Sequence, residues 1–101
     1  MDRIYSIDEI KTRLYPVFLA APVYKAILFG SYAKGKATSK SDIDIVIDSK
    51  GELININFYG VLEDIAETLD KPIDLIEISE IHKNSPILRE INKKGVLLYE
   101  R

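Results

Sequence analysis

The 101-residue chain has no cysteine. That excludes a disulfide framework, a thiol nucleophile and a cysteine-based zinc site, and it fits a cytoplasmic setting. A single histidine, His82, supplies neither a histidine zinc cluster nor a catalytic triad, and it reads as a surface-turn residue. Long apolar runs are missing too. The longest, Leu14 to Tyr24, is interrupted by Pro16 and Pro22 and ended by Lys25, so it is too short to span a bilayer. Met1 to Ile10 carries Asp2, Arg3, Asp8 and Glu9 and does not read as a signal peptide. No basic stripe runs along the chain, whose net charge is −2 and pI about 5.4. Generic binding to a nucleic-acid backbone is therefore disfavoured. No internal repeat or low-complexity segment appears.

What is present is the balance of a folded domain. Apolar residues make up 47% and charged residues 30% of the chain, with both signs interleaved. This is enough for a core and unlike a disordered tail. The length predicts one domain, residues 1–101, and a domain this small gains from a partner that buries more of its surface.

Ser6 followed by Glu9 is a capping box, and Ile7, Ile10, Leu14 and Phe18 follow at helical spacing. A helix over about 7–20 is predicted, irregular at Pro16. Lys25 to Phe29 is short, apolar and closed by Gly30, as in a buried strand. The stretch SYAKGKATSKS predicts a turn or one helical turn and then an open loop. Asp42 to Asp48 predicts a second strand. Period-two alternation puts Ile43, Ile45 and Ile47 on one face and Asp42, Asp44, Val46 and Asp48 on the other, facing a cleft. A helix over 57–70 buries Phe58, Val61, Leu62, Ile65 and Leu69 and leaves Glu63, Asp64 and Glu67 wet. A strand over 73–78 follows. Ser85-Pro86 starts a last helix that stops at Gly95, and 96–99 forms a final strand. Strands separated by helices predict an α/β or α+β domain with one mixed sheet.

Three features of this order carry chemistry. Gly30 and Ser31 directly follow a strand, where small residues let backbone N–H groups approach phosphates. Ser31 adds a hydroxyl, and Lys34 a positive charge. Asp42 and Asp44 project together from one strand face, and two adjacent carboxylates repel unless a cation neutralises them. Asp74 reaches the same place if its strand lies beside the second. Oxygen ligands suit Mg²⁺ or Mn²⁺, and two metals bridged by carboxylates can activate an attacking oxygen and stabilise a leaving pyrophosphate. The third carboxylate binds the metal nearer the acceptor or takes its proton.

The segment GSYAKGKATSKSDIDIVID resembles the signature of the DNA polymerase β-like nucleotidyltransferase superfamily. That signature is Gly-Ser, a short loop, Asp-x-Asp on the following strand and a third Asp on a later one. In size and spacing the chain is similar to the minimal nucleotidyltransferase group, often encoded beside a HEPN-domain protein. The resemblance implies an antitoxin that transfers AMP from ATP to a tyrosine of a HEPN RNase toxin and silences it. It implies that Gly30 and Ser31, with Lys34, hold the triphosphate, and that Asp42, Asp44 and Asp74 bind two Mg²⁺ ions and form the catalytic set. The sequence departs from the pattern at Lys34, where the group usually has arginine. Lysine keeps the charge but loses the planar two-pronged grip on phosphate. Acceptor selection falls to the partner or to a second copy of the chain.

Each feature also has a plainer reading. A Gly-Ser turn is often only a turn, Asp-x-Asp can be a solvated strand edge, and Asp74 a strand-start residue. Lys34, Lys36 and Lys40 can be a wet loop, and Tyr32 packs or stacks. At the level of function the rivals are a toxin-binding module that neutralises by contact alone, and nucleotidyl transfer to RNA or a small molecule.

Overall fold

Helix α1 (Ile7–Leu19) begins the computed structural model's regular structure; the residues described are 3–101. Its start is the predicted capping box. The Glu9 amide donates to Ser6 Oγ at 3.1 Å, and the Ser6 amide donates to the Glu9 carboxylate at 2.9 Å. Two amides that a helix start leaves without partners are thereby satisfied. Pro16 does not end the helix. It lacks an N–H for the Thr12 carbonyl, but Thr12 and Pro16 are both exposed, so water can take that bond. Ile10, Leu14 and Phe18 form the buried stripe.

The remaining elements follow in the expected order. They are β1 (Lys25–Phe29), the single turn α2 (Gly30–Ala33), β2 (Ile43–Asp48), α3 (Ile56–Leu69) and β3 (Ile73–Glu77). A 3₁₀ turn (Ile78–Glu80), α4 (Pro86–Lys94) and β4 (Val96–Glu100) complete the chain. Asp42 lies one residue ahead of β2, and Ile78 has already left β3, small shifts of the kind expected at element ends. Ser85 caps α4 by accepting the Ile87 amide at 3.0 Å, with Pro86 in the first turn.

The strands form one mixed sheet in the order β3-β2-β1-β4. β1 runs antiparallel to both β2 and β4, whereas β2 and β3 are parallel. Parallel neighbours need a crossover, and α3 supplies it. The main core lies between the sheet and helices α1 and α3. Ile43, Ile45 and Ile47 meet Leu14, Phe18, Ile65 and Leu69 there, all nearly or fully buried. Phe58 and Leu62 join that core only half-buried.

The opposite face of β2 is not wholly open, as alternation alone suggests. Val46 is buried there with Phe29 and Ile91, the last brought by α4. The second face is therefore covered midway, at Val46, and partly open toward the two ends of β2, at Asp44 and Asp48. This is the feature of the fold that confines the site.

A buried carboxylate holds the far end of the parallel pair. Glu77, at the end of β3, accepts from the Ser49 amide at 3.1 Å and from the Ser49 hydroxyl. Ser49 Oγ in turn accepts from the Leu53 amide at 3.2 Å. Glu77→Ala leaves the buried Ser49 donors without a partner. A loss of about 3 kcal/mol in unfolding free energy, read by urea titration, is expected from the usual cost of such groups. Glu77→Gln keeps an acceptor and should lose clearly less.

Candidate active site

The parallel register sets Asp44 directly beside Asp74. In-register neighbours on adjacent strands share a face at about 4.8 Å spacing, so the two carboxylates rise together on the α4 side of the sheet. Asp42 stands two residues before Asp44, exposed, as Asp74 is; Asp44 is half-buried. Three carboxylates 2 and 30 positions apart in sequence thus gather at one sheet end. Asp44 bears the consequence: its carboxyl is pushed up from 3.8 to about 6. Burial is the largest cause, followed by the negative charges of Asp74, Asp42 and Glu90 and a hydrogen bond with Asp74.

Gly30 closes the site from the β1 side. The antiparallel register pairs Phe29 with Asp44, so the next residue passes over the Asp44 side chain. A Cβ at position 30 would lie 2.0 Å from Asp44 Oδ2 and 2.9 Å from its Cγ, and the backbone there has φ +72°. Both facts demand glycine. The sequence motif suggested that Gly30 admits a phosphate; the structure adds that it makes room for the carboxylate. Ser31 follows in α2, half-buried, while Tyr32 packs into the main core. Lys34 caps the turn, its amide donating to the Gly30 carbonyl at 3.2 Å.

The loop from Gly35 to Asp42 is open but tied. Thr38 and Ser41 form a closed turn, with the Ser41 amide on the Thr38 carbonyl at 3.0 Å and the Thr38 amide on Ser41 Oγ at 2.8 Å. Lys71 is buried and donates its ammonium to the Ser39 carbonyl at 3.1 Å. The Pro72 carbonyl accepts the Ile43 amide at 3.1 Å. The entry to β3 thereby holds Asp42 in place beside Asp44. Lys36 and Lys40 stay exposed.

Sequence reasoning passed over two residues. One is Lys71, between α3 and β3. The other is Glu90 of α4, whose carboxylate accepts the Gly30 amide at 2.9 Å and the Lys34 ammonium at 3.2 Å. Nothing local in the sequence signals either contact. His82 lies exposed in the turn before α4. Among the described residues no three His, Cys, Asp or Glu side chains close into a preformed metal cage. The carboxylates form an open group at a sheet end. A cavity of about 430 Å³ lies instead at the other end of β3, lined by Leu53, Phe58, Tyr59, Leu75 and Glu77; it contains none of these groups. No helix among the described residues is long and apolar enough to cross a membrane.

A mixed sheet with Gly-Ser at the end of one strand, Asp-x-Asp entering its antiparallel neighbour and a third Asp in register beyond it defines a nucleotidyltransferase-like α/β domain. Residues 18–101 match the family of polymerase β nucleotidyltransferases, and the chain belongs to that family. It is 31% identical over 85 residues to the MJ0435 protein of Methanocaldococcus jannaschii, provisionally named a protein adenylyltransferase; the match covers 84% of this chain and 88% of that one. It is 37% identical over 51 residues to the protein adenylyltransferase MntA of Shewanella oneidensis, covering 50% of this chain and 37% of MntA. Two solved structures share the fold. One is a toxin–antitoxin with AMP-PNP, at TM-score 0.75 and 24% identity over 90% of this chain and 73% of that one. The other is a tri-AMPylated Shewanella oneidensis HEPN toxin with its MNT antitoxin, at TM-score 0.69 and 21% identity over 94% and 73%.

Proposed function

We propose that this domain transfers AMP from ATP to a tyrosine hydroxyl of a HEPN-domain toxin and acts as its antitoxin in the cytoplasm. The observation that supports this most is the in-register pair Asp44 and Asp74 with Gly30 seated against Asp44. A solvated strand edge has no need of that packing. The names of the two relatives, and the AMPylated toxin in complex with a protein of this fold, favour a protein acceptor.

In this reading Asp42, Asp44 and Asp74 are ligands for two Mg²⁺ ions, and Gly30, Ser31 and Lys34 hold the triphosphate. The donor set fits: it is all carboxylate oxygen, which suits a hard cation. The raised proton affinity of Asp44 marks crowded negative charge of the kind a divalent cation relieves. An open carboxylate group suits Mg²⁺, which keeps waters and phosphate oxygens around it. Once bound, the ions supply charge stabilisation for the phosphates and the leaving pyrophosphate. The chain's own groups do the positioning. The Gly30 amide and the Lys34 ammonium meet phosphate oxygens, and the bonds from Lys71 and Pro72 keep Asp42 aligned with Asp44.

The reaction balances simply. The tyrosine oxygen bonds to the α-phosphorus, the bond from that phosphorus to the pyrophosphate oxygen breaks, and the hydroxyl proton passes to Asp74 at the exposed rim. Exposure of Asp42 and Asp74 leaves that rim open to a hydroxyl carried on another protein.

The test is transfer of label from α-labelled ATP with Mg²⁺ to a co-expressed HEPN partner, comparing wild type with the Asp42→Asn, Asp44→Asn double variant. Label on a tyrosine peptide only with wild type is the expected result. If the double variant neutralises the partner equally well, and no carboxylate-dependent label appears although ATP binds, the domain is a contact-only antitoxin.

A further inference from the structure

The two donors assigned to the phosphates are already engaged. Glu90 Oε2 takes the Gly30 amide at 2.9 Å, and Glu90 Oε1 takes the Lys34 ammonium at 3.2 Å. One carboxylate thus bridges both, with one oxygen on each, as two oxygens of a phosphate would. The contact joins residues 60 and 56 positions apart, so it is not a local helix interaction. Its anchor is the neighbouring residue: Ile91 is buried against Phe29 and Val46, which fixes the backbone of α4 beside the end of β1. The Glu90 side chain itself keeps 31% of its surface in water, which leaves it a path out to solvent. It also adds to the negative charge around Asp44, the opposite of what a triphosphate needs on arrival.

We propose that Glu90 is a displaceable carboxylate latch: it occupies the phosphate cradle of Gly30 and Lys34 until a polyphosphate takes its place and sends the side chain out to solvent. This rests on the reading of Gly30 and Lys34 as phosphate holders given above. The latch makes the binding-competent form only a fraction of the free protein, and apparent affinity falls by that fraction. It also fills the anion site while no nucleotide is present, so the part-buried Gly30 amide is not left without a partner. The competition is specific to anions. Adenosine, which lacks phosphates, does not contend with Glu90, whereas ATP and inorganic tripolyphosphate do.

The test is titration calorimetry on the full chain with Mg²⁺, using ATP, tripolyphosphate and adenosine as probes. The proteins are wild type, Glu90→Gln and Glu90→Ala, with Glu100→Gln as a control. Glu100 sits at the Lys25 end of β1, the end away from Gly30, and its removal changes net charge equally. Both Glu90 variants should bind ATP and tripolyphosphate roughly 2- to 5-fold more tightly, the range expected for freeing a largely exposed ion pair. Adenosine binding and the Glu100→Gln control should stay at wild-type values. The Gly30 amide resonance should shift on ATP addition to wild type and, without ATP, in Glu90→Ala. Equal or weaker ATP binding by both Glu90 variants overturns the latch and leaves the nucleotide reading standing, with Glu90 then a residue that positions Lys34. Failure of every folded variant and of wild type to bind ATP or tripolyphosphate overturns both.

Discussion

Asp44→Asn should cut nucleotidyl transfer by on the order of 10²–10³, the usual cost of losing one group that stabilises charge in the reacting complex, while making the metal-free protein more stable at neutral pH. The two effects share one cause. Asp44 sits where burial and three neighbouring carboxylates disfavour its charge, and its proton is held up to about 6 instead of 3.8. Folding therefore draws a proton onto this group. The resulting stabilisation is fully present below about pH 3.8 and is lost as pH rises through 6; above 6 the folded state carries the repulsion. Water reaches this half-buried group, so the effect is about 1–2 kcal/mol. Asparagine keeps the shape and removes the charge. In urea titrations without divalent ions the variant should be the more stable protein at pH 7.5, with the advantage vanishing near pH 4. Added Mg²⁺ should stabilise wild type and leave the variant unmoved. A variant that transfers AMP at the wild-type rate would reduce Asp44 to a solvated strand residue.

Gly30→Ala should be nearly as damaging to activity, for a steric reason. The new methyl would stand 2.0 Å from Asp44 Oδ2 at a backbone φ of +72°. The left-handed backbone costs an L-residue about 1–2 kcal/mol. The clash falls on the end of a side chain, so Asp44 can turn away and the protein still folds. What it cannot do is keep its carboxylate in register with Asp74. Displacing a reacting group by about 1 Å typically costs on the order of 10²-fold in rate, and that loss is expected here. Gly35→Ala is the matched control. Gly35 has the same φ of +72° but nothing within 4 Å of its would-be Cβ, so it should lose a similar amount of stability and keep its activity. Equal activity losses in the two variants would mean that backbone strain, not the approach to Asp44, explains Gly30.

Much of this molecule was determined by features that act within a few residues. The box of Ser6 and Glu9, the cap at Ser85-Pro86, the stripe Ile10, Leu14 and Phe18, and the alternation of Ile43, Ile45 and Ile47 each depend on helical or strand periodicity. So does the projection of Asp42 and Asp44 toward one side. Such features are legible in sequence because the backbone geometry that relates their residues is nearly invariant. Even the motif of Gly-Ser, loop and Asp-x-Asp spans only the single connection, α2 and its loop, between the antiparallel neighbours β1 and β2.

What the tertiary structure alone decided is which distant segments become neighbours. Asp74 matters because α3 returns the chain parallel to β2 in the one register that pairs it with Asp44; a shift of one residue would send it to the core face. Val46 is buried, not open to a cleft, because α4 crosses that face and brings Ile91. Arg101 donates to the last two carbonyls of α1, those of Phe18 and Leu19, and to that of Ala21 just beyond it, from 80 to 83 positions away. Lys71 holds the Ser39 loop, and Glu90 reaches across to Gly30 and Lys34. Each depends on how whole elements pack and on a register chosen by the summed burial of many apolar side chains. A charged residue seen alone carries no record of that choice, and these contacts became visible only once the sheet had assembled.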